Sequence, residues 1–558
     1  MPISPYDGYT AGSNWIRANQ PVVVTNVSAL RALDKTEIGY AITKGYYTAG
    51  DGGAGEYWYD SSDTTSTDNG GSVILAADGG RWKLIINGVI NSKQFGAKGD
   101  GVTDDTSKLQ AAIDYCVSRY LPLFVPAGGY LTGPLTLNGS SHTTPANAQY
   151  SGLISFYGEG RRSTVFVAKT GLYPTNQYVL SANNVAGVEY RDFGVSGNSV
   201  TSNGIDFSWA GGSGGSASTA PSNQNIFQNI FCEGCSAISF NLSQCNDSKI
   251  SGLWCRGGTA GSPAVVCSGV GGKLGIDNLY VGDGTFVLSC QDAGIVNSGL
   301  YGGVVLSGTG YNVISFESCH IYPDSTTGFS INSTALGNAT RGVLWSGCYF
   351  DAGGTYTIGG RYWNGMKFIA CKFSSVSSGI LSTEIVPAAG AGHVPVFDFD
   401  HCDFESTIPG DIASVCATSL RACRGSSGDI VNDYKNITTT GTITSTAERQ
   451  TFGSSIIDSL SASSVPQNSG ITLNVSAGAF LLSVLNFSTN GASSRTSSLY
   501  FIGTFQGDEF TSTLISTSNG SGGGRSFTVT QPTSSTILIK NTSSDTCDMS
   551  ACIFGVGG

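Results

Sequence analysis

The chain has 558 residues, 78 of them Gly and 16 Pro, with 12% charged and 10% aromatic residues and a net charge of −11. This excludes a disordered chain, which needs high charge and few aromatics, and suits an all-β protein of short strands and glycine-rich turns, about three or four domains long. The acidic balance speaks against nucleic acid as a partner, and makes a strongly anionic polymer an awkward one unless a local basic strip exists.

The first residues, MPISPYDGYTAGSNW, carry neither a basic n-region nor an apolar h-region, so no secretory signal is expected there. No run of about 18 apolar residues occurs, and no membrane insertion is expected. Residues 1–90 mix short apolar runs with GDGGAGEYWYD and AADGGRWKLI and read as a small β-rich head.

Phe95 to Cys116, FGAKGDGVTDDTSKLQAAIDYC, combines a glycine-rich turn, an aspartate cluster and an amphipathic run. It lacks the Lys-Ser/Thr of a Walker loop. It also lacks the closing Glu of an EF-hand, because Ala111 stands at the twelfth position. Asp104 or Asp105 can cap a helix whose apolar face is Leu109, Ala112, Ile113, Cys116 and Val117. LPLFVPAGGYLTGPLTL follows as strand, turn, strand.

The middle of the chain repeats. ISFESCHI, VLWSGCYF, MKFIACKF and FDFDHCDF all read apolar-x-apolar-x-x-Cys-x-apolar, with Cys319, Cys348, Cys371 and Cys402 aligned. Earlier copies run through Val188–Val195 and Leu274–Val281, with weaker ones at Ile230 and Leu253 and one of ambiguous register at Ile295–Tyr301. A spacing of roughly 26 residues, with period-2 alternation on both sides of a two-residue bend, predicts a parallel β-solenoid. The fifteen cysteines are then expected mostly as buried thiols rather than disulfides, and those of the repeat as an interior ladder. Cys232 and Cys235 form a CxxC without a second pair, so no metal site and no cofactor is expected. The aspartates of the glycine-rich turn, left without a ligand to bind, read as helix cap and turn, and the helix as a plug on the solenoid's open end. From about Thr438 the repeat gives way to alternating strands between Gly/Ser/Asn turns, the pattern of a β-sandwich.

The run from Phe95 to about Gly160, with LPLFVPAGGYLTG and YGEG, resembles the start of the pectate-lyase-like superfamily of right-handed parallel β-helices. Residues 40–90 resemble the region preceding that helix in bacteriophage tailspike and tail-fibre depolymerases. The resemblance implies a virion-proximal head at 1–90 that joins a phage tail or baseplate protein, a capped β-helix at 91–437, and a C-terminal β-sandwich at 438–558 for trimerisation or carbohydrate binding. It implies a homotrimer, made in the host cytoplasm and carried on the virion tail, that acts on a capsular or O-antigen polysaccharide at the bacterial surface. It hands over no catalytic residues.

Those follow from the repeat register. The residue after the third core position runs Gly194, Phe231, Trp254, Tyr280, Tyr301, His320, Tyr349, Lys372 and Asp403. Such an aromatic strip serves either subunit packing or stacking on sugar rings. Trp254, Tyr280, Tyr301, His320 and Tyr349, with Arg256 and Asp283, are the expected substrate contacts. Hydrolysis needs two carboxyls. Glu317 is the first candidate, on a strand beside the strip where desolvation can raise its pKa, with Asp277, Asp324 or Asp351 as partner. Asp277 and Glu317 share one column about two coils, or 10 Å, apart. The alternatives are a lyase using His320, Tyr349, Lys372 or Arg256, and a non-enzymatic receptor-binding fibre. A second cluster, Asp398, Asp400, His401, Asp403 and Glu405, reads as a solvated face, a trimer seam or a cation site.

Overall fold

The computed structural model describes residues 21–33, 39–138, 155–173, 177–183, 187–200, 203–208, 224–243, 247–257, 261–307, 313–333, 343–360, 363, 365–374, 377–382, 385, 396–405, 417–425 and 430–433, and beyond these the backbone of strands between Glu448 and Val556. The chain divides into two units, Met1–Ile437 and Thr438–Gly558.

The first unit begins with a five-stranded sheet in the order Val22–Val24, Tyr40–Thr43, Gly55–Asp60, Arg81–Leu84, Val73–Leu75. Period-2 alternation buries Ala41, Tyr57, Trp82 and Leu84 on one face. The short helix Val27–Arg31 adds Val27 and Leu30 to that core.

The cap helix, Thr106–Arg119, buries the five residues of its predicted apolar face. Its aspartates divide the work differently from the expectation. Asp105 stands at the N-cap position but makes no capping bond. Its buried carboxylate instead accepts the N–H groups of Lys98 and Gly99, at 2.8 and 2.9 Å, and closes the glycine loop. Asp104 accepts the Thr106 N–H at 3.0 Å and pairs with Lys169 at 2.7 Å.

From Ile90 onward, strands pair in parallel from coil to coil in one 31-stranded assembly, the parallel β-helix expected from the repeat, and its last strand, Ile430–Asp433, pairs antiparallel with Ala417–Arg424. Coil length varies, from about 18 residues between Phe286 and Val304 to about 45 between Leu135 and Leu180. Successive coils nevertheless keep one bend in register. Its residue adopts positive φ at Asp192, Asn229, Gly252, Asn278, Asn297, Ser318, Gly347, Ala370, His401 and Ala422. Asn, Asp and Gly tolerate that region best, which accounts for their frequency there.

Inside the bend, like side chains stack. Trp345 lies 3.9 Å from Phe316 with the rings nearly parallel, and Phe368 lies 4.8 Å from Phe399. A second ladder runs Phe350, Phe373, Phe404 at 4.8 and 4.9 Å. These separations are close to the spacing of neighbouring strands, so the backbone register itself imposes the stacking.

The next interior column is Cys319, Cys348, Cys371, Cys402 and Cys423, all buried free thiols. Each sulfur donates to the carbonyl two residues earlier, across the bend, at 3.4–3.6 Å. Ser298 makes the same bond one coil before the series begins, at 2.8 Å. A small side chain with a weak donor suits this position because the bend leaves that carbonyl facing inward. These five thiols are expected to resist iodoacetamide in the native chain and to react only on unfolding. Alkylation of any of them in native buffer, read by peptide mass spectrometry, contradicts the interior placement.

The second unit consists of two antiparallel sheets, as in a β-sandwich. One has six strands, Glu448–Phe452, Ser455–Val465, Cys547–Val556, Gly478–Phe487, Ser497–Gln506 and Glu509–Asn519, in that spatial order; the other has three, Gly470–Asn474, Thr536–Asn541 and Phe527–Thr533.

Candidate active site

Beyond the bend, the outward side chains form two neighbouring columns. The first runs Phe231, Trp254, Tyr280, Gly299, His320, Tyr349, Lys372, Asp403, Arg424. Gly299, and not Tyr301, is the in-register residue between Tyr280 and His320. Tyr301 belongs to the second column, which continues through Tyr322, Asp351, Ser374 and Glu405; each backbone N–H there bonds to the coil before. The glycine obscured this register because it leaves no outward side chain to align. A Cβ at Gly299 would meet the Tyr301 ring at 3.1 Å, so its absence gives that ring its seat.

The rings form one continuous strip. Trp254 stacks on Tyr280 at 4.5 Å, and Tyr280 lies 5.0 Å from Tyr301. Tyr301 stacks on Tyr322 at 4.3 Å, and His320 sits between Tyr322 and Tyr349 at 4.4 and 4.7 Å. Strip residues are half-buried, with Tyr301 37% exposed. They therefore present ring surface to solvent while being held by their neighbours.

Asp351 joins this strip as its ionisable centre. Its carboxylate accepts from His320 Nε2 at 3.1 Å, from the Ala352 N–H at 2.7 Å and from the Tyr322 hydroxyl. Burial pushes this carboxyl up, but those three donors outweigh it and hold the group below the usual Asp range. Desolvation, together with the Asp351 charge and Tyr301, pushes the Tyr322 phenol up to about 12. At neutral pH the cluster is an ionised carboxylate facing a protonated tyrosine. Tyr349 bonds Ser374 at 2.6 Å, and Lys372 pairs with Glu405 at 2.8 Å on the next coils.

The other expected carboxylates fall elsewhere. Asp277 and Glu317 do share a column two coils apart, with Val296 between them. That column precedes the bend, whereas the strip follows it. Glu317 is exposed, not desolvated, because its ladder neighbours Val296 and Ser346 raise no wall around it. Asp277 accepts from Asn297 Nδ2 at 3.2 Å. Asp324 is buried, and its oxygens accept from the Thr326 and Thr327 N–H groups and the Thr327 hydroxyl, so it shapes its own turn. Asp283 is exposed in a Gly-Asp-Gly turn, and Arg256 is exposed beside Gly282 and Tyr280.

Most acids of the second cluster have basic partners: Asp400 takes Arg421 and His401, Asp398 takes Lys367, and Glu405 takes Lys372. Among the described residues, no group of three or more His, Cys, Asp or Glu is placed to hold a metal ion.

Sequence reasoning missed two contributors. Tyr322 lies one outward position beyond the one read, and following the alternation two residues further would have found it. Arg161 and Arg162 lie on the turn Gly158–Ser163, outside any repeat. The Arg161 guanidinium carbon sits 4.9 Å over Trp254 and that of Arg162 4.2 Å over Phe231. Gly194 lets this turn cross the strip, since a Cβ there would meet the Arg161 carbonyl oxygen at 2.3 Å.

Comparison with known proteins bears on the domain order. Residues 23–87 match the phage tail protein small four-stranded beta-sheet domain, and residues 89–278 match the family described as rhamnogalacturonase A/epimerase, pectate lyase-like. Over 91 residues the chain is 36% identical to a Mu-like prophage FluMu defective tail fiber protein of Haemophilus influenzae; the match covers 16% of this chain and 14% of that relative's length. Among solved structures, the tailspike protein of Acinetobacter baumannii bacteriophage Fri1, a capsular polysaccharide depolymerase, superposes with a TM-score of 0.52 at 13% identity, covering 96% of this chain and 98% of that one. Tailspike protein 2 of the Escherichia coli bacteriophage CAB120 gives 0.50 at 15% identity, covering 96% and 81%. The chain thus carries a match to a phage-tail β-sheet domain ahead of a pectate-lyase-like match, and shares its fold with the tailspike structures compared.

Proposed function

We propose that this chain is a phage tailspike that binds a bacterial capsular or O-antigen polysaccharide along the aromatic strip and cleaves it within the chain at His320, Tyr322 and Asp351. The observation that carries the reading is the Asp351 carboxylate, held ionised on a rigid coil at one end of a row of sugar-sized ring surfaces. In this reading the head attaches the protein to the tail, three chains assemble, and the second unit serves trimerisation or carbohydrate binding. The virion tail is its place of action.

Hydrolysis is the first chemistry. Asp351 accepts a proton from water as it attacks, while a second carboxyl protonates the leaving oxygen. Glu317, which makes no ion pair among the described residues, is the carboxyl to test for that second role. Glu405 stands two coils along the same column as Asp351, about 9.5 Å at strand spacing, but its pairing with Lys372 favours the ionised form and leaves it poorly suited to donate a proton. β-Elimination is the second chemistry, favoured by the His320–Asp351 hydrogen bond, which fixes the imidazole tautomer as an oriented base needs.

Digestion of purified capsular and O-antigen polysaccharides, with mass spectrometry of the products, tests both. Products heavier by one water, without unsaturated-uronate absorbance, are the expected result; that absorbance transfers the assignment to elimination. Polymer that is bound but never shortened makes the protein an adhesin.

A further inference from the structure

One end of the strip gathers three arginines in an acidic protein, interspersed with Glu159 on the same turn and with Glu233, which faces Arg256 in register. The Gly158–Ser163 turn lays Arg161 over Trp254 and Arg162 over Phe231, and Arg256 stands exposed on the Trp254 coil. None of the three guanidinium groups is within ion-pair distance of a carboxylate among the described residues. Arg191, on a neighbouring coil, by contrast pairs with Glu189 at 3.4 Å and Asp192 at 2.8 Å. A guanidinium seated over a ring keeps its N–H donors at its edge, directed to solvent and suited to a carboxylate. At the other end of the strip the charges are paired, Asp351 with His320 and Glu405 with Lys372, which leaves no comparable set of unpaired cations there among the described residues.

We infer that Arg161, Arg162 and Arg256 form a subsite for a carboxylate-bearing sugar, a uronic acid or a pyruvate-substituted residue, so that the polymer taken by this protein is an acidic one. The inference rests on the strip being the polysaccharide site. Trp254 lies three coils from His320, about 14 Å at strand spacing. The acidic residue therefore binds a few sugars away from the scissile bond. The subsite supplies the local basic strip that a chain of net charge −11 needs before it can hold an anionic polymer.

The test uses the full chain with glucuronate and glucose as probes, read by saturation-transfer NMR. Glucuronate is expected to bind and glucose not. The glucuronate signal is expected to fall as salt rises from 0.1 to 1 M, where the screening length shrinks from about 10 to 3 Å. The double variant Arg161→Gln/Arg162→Gln, checked for an unchanged melting temperature, is expected to bind glucuronate about 10- to 100-fold more weakly. Arg256→Gln gives a second, separately folded check in the same direction. Equal signals for the two sugars, or binding insensitive both to salt and to the variants, overturns the inference. Polymer digestion is scored separately. Glucuronate selectivity with no polymer shortened keeps the subsite and defeats the depolymerase reading. Shortening of a neutral polymer without glucuronate selectivity does the reverse.

Discussion

Asp351→Asn lowers polysaccharide cleavage by about 10²–10⁴-fold, the range associated with losing a general acid or base, and leaves binding of uncut polymer within a few-fold. The substitution keeps the size of the side chain and an oxygen to accept from Tyr322, but removes the charge that His320 and Tyr322 organise. Initial rates of reducing-end release measure it, with circular dichroism confirming the fold. The pH profile gives an independent reading. Because the folded-state pKa of Asp351 is depressed, its ionised form is present from neutral pH down through the ordinary Asp range and is lost only as pH falls below that range. Activity is expected to keep its acid limb low, and any stability that the ionised group contributes is lost progressively as pH falls from the ordinary Asp range through the depressed folded-state pKa. The companion variant is Glu317→Gln, the candidate second carboxyl, exposed on the other side of the bend, where loss of cleavage alongside that in Asp351→Asn supports the pair. Full activity in Asp351→Asn together with loss in Glu317→Gln moves the site to that other face.

Trp345→Ala costs about 3–5 kcal/mol, as expected for a large aromatic removed from a close-packed core. Trp345 is fully buried, lies 3.9 Å from Phe316, and meets Phe350 edge-on at 5.4 Å. Its removal opens a void in the ladder that coils of fixed spacing cannot close. Trp345→Phe is expected to cost clearly less. It keeps a stacked ring, and it removes a buried indole N–H that has no partner among the described residues. Large β-helices commonly unfold irreversibly, so the inactivation half-life at fixed temperature is the proper readout. Equal half-lives for wild type and Trp345→Ala would contradict the stacked core.

The β-helix was legible in the residues because its physics is local and repeated. Apolar residues at alternate positions around a bend, a cysteine in the same place and an amphipathic cap helix each leave a mark on the linear sequence. From these marks the sequence by itself determined the solenoid, the interior thiols and a strip of outward rings through Trp254, Tyr280, His320 and Tyr349.

What it could not determine is which side chains meet when they lie on different coils or outside the repeat. Coil lengths vary, so sequence distance says little about neighbours. Gly299 hid the true register of Tyr301 because a missing side chain carries no pattern. Glu317 and Asp351 look alike as acids in the linear chain. The bend at Ser318 sends Glu317 into solvent, while the alternation after it brings Asp351 to His320 and Tyr322. Arg161 and Arg162 reach the strip from a turn whose only sequence trace is the glycine it crosses at Gly194. Only the tertiary structure decided these encounters, because side-chain periodicity fixes a face locally, whereas a site depends on distances between coils that no local pattern encodes.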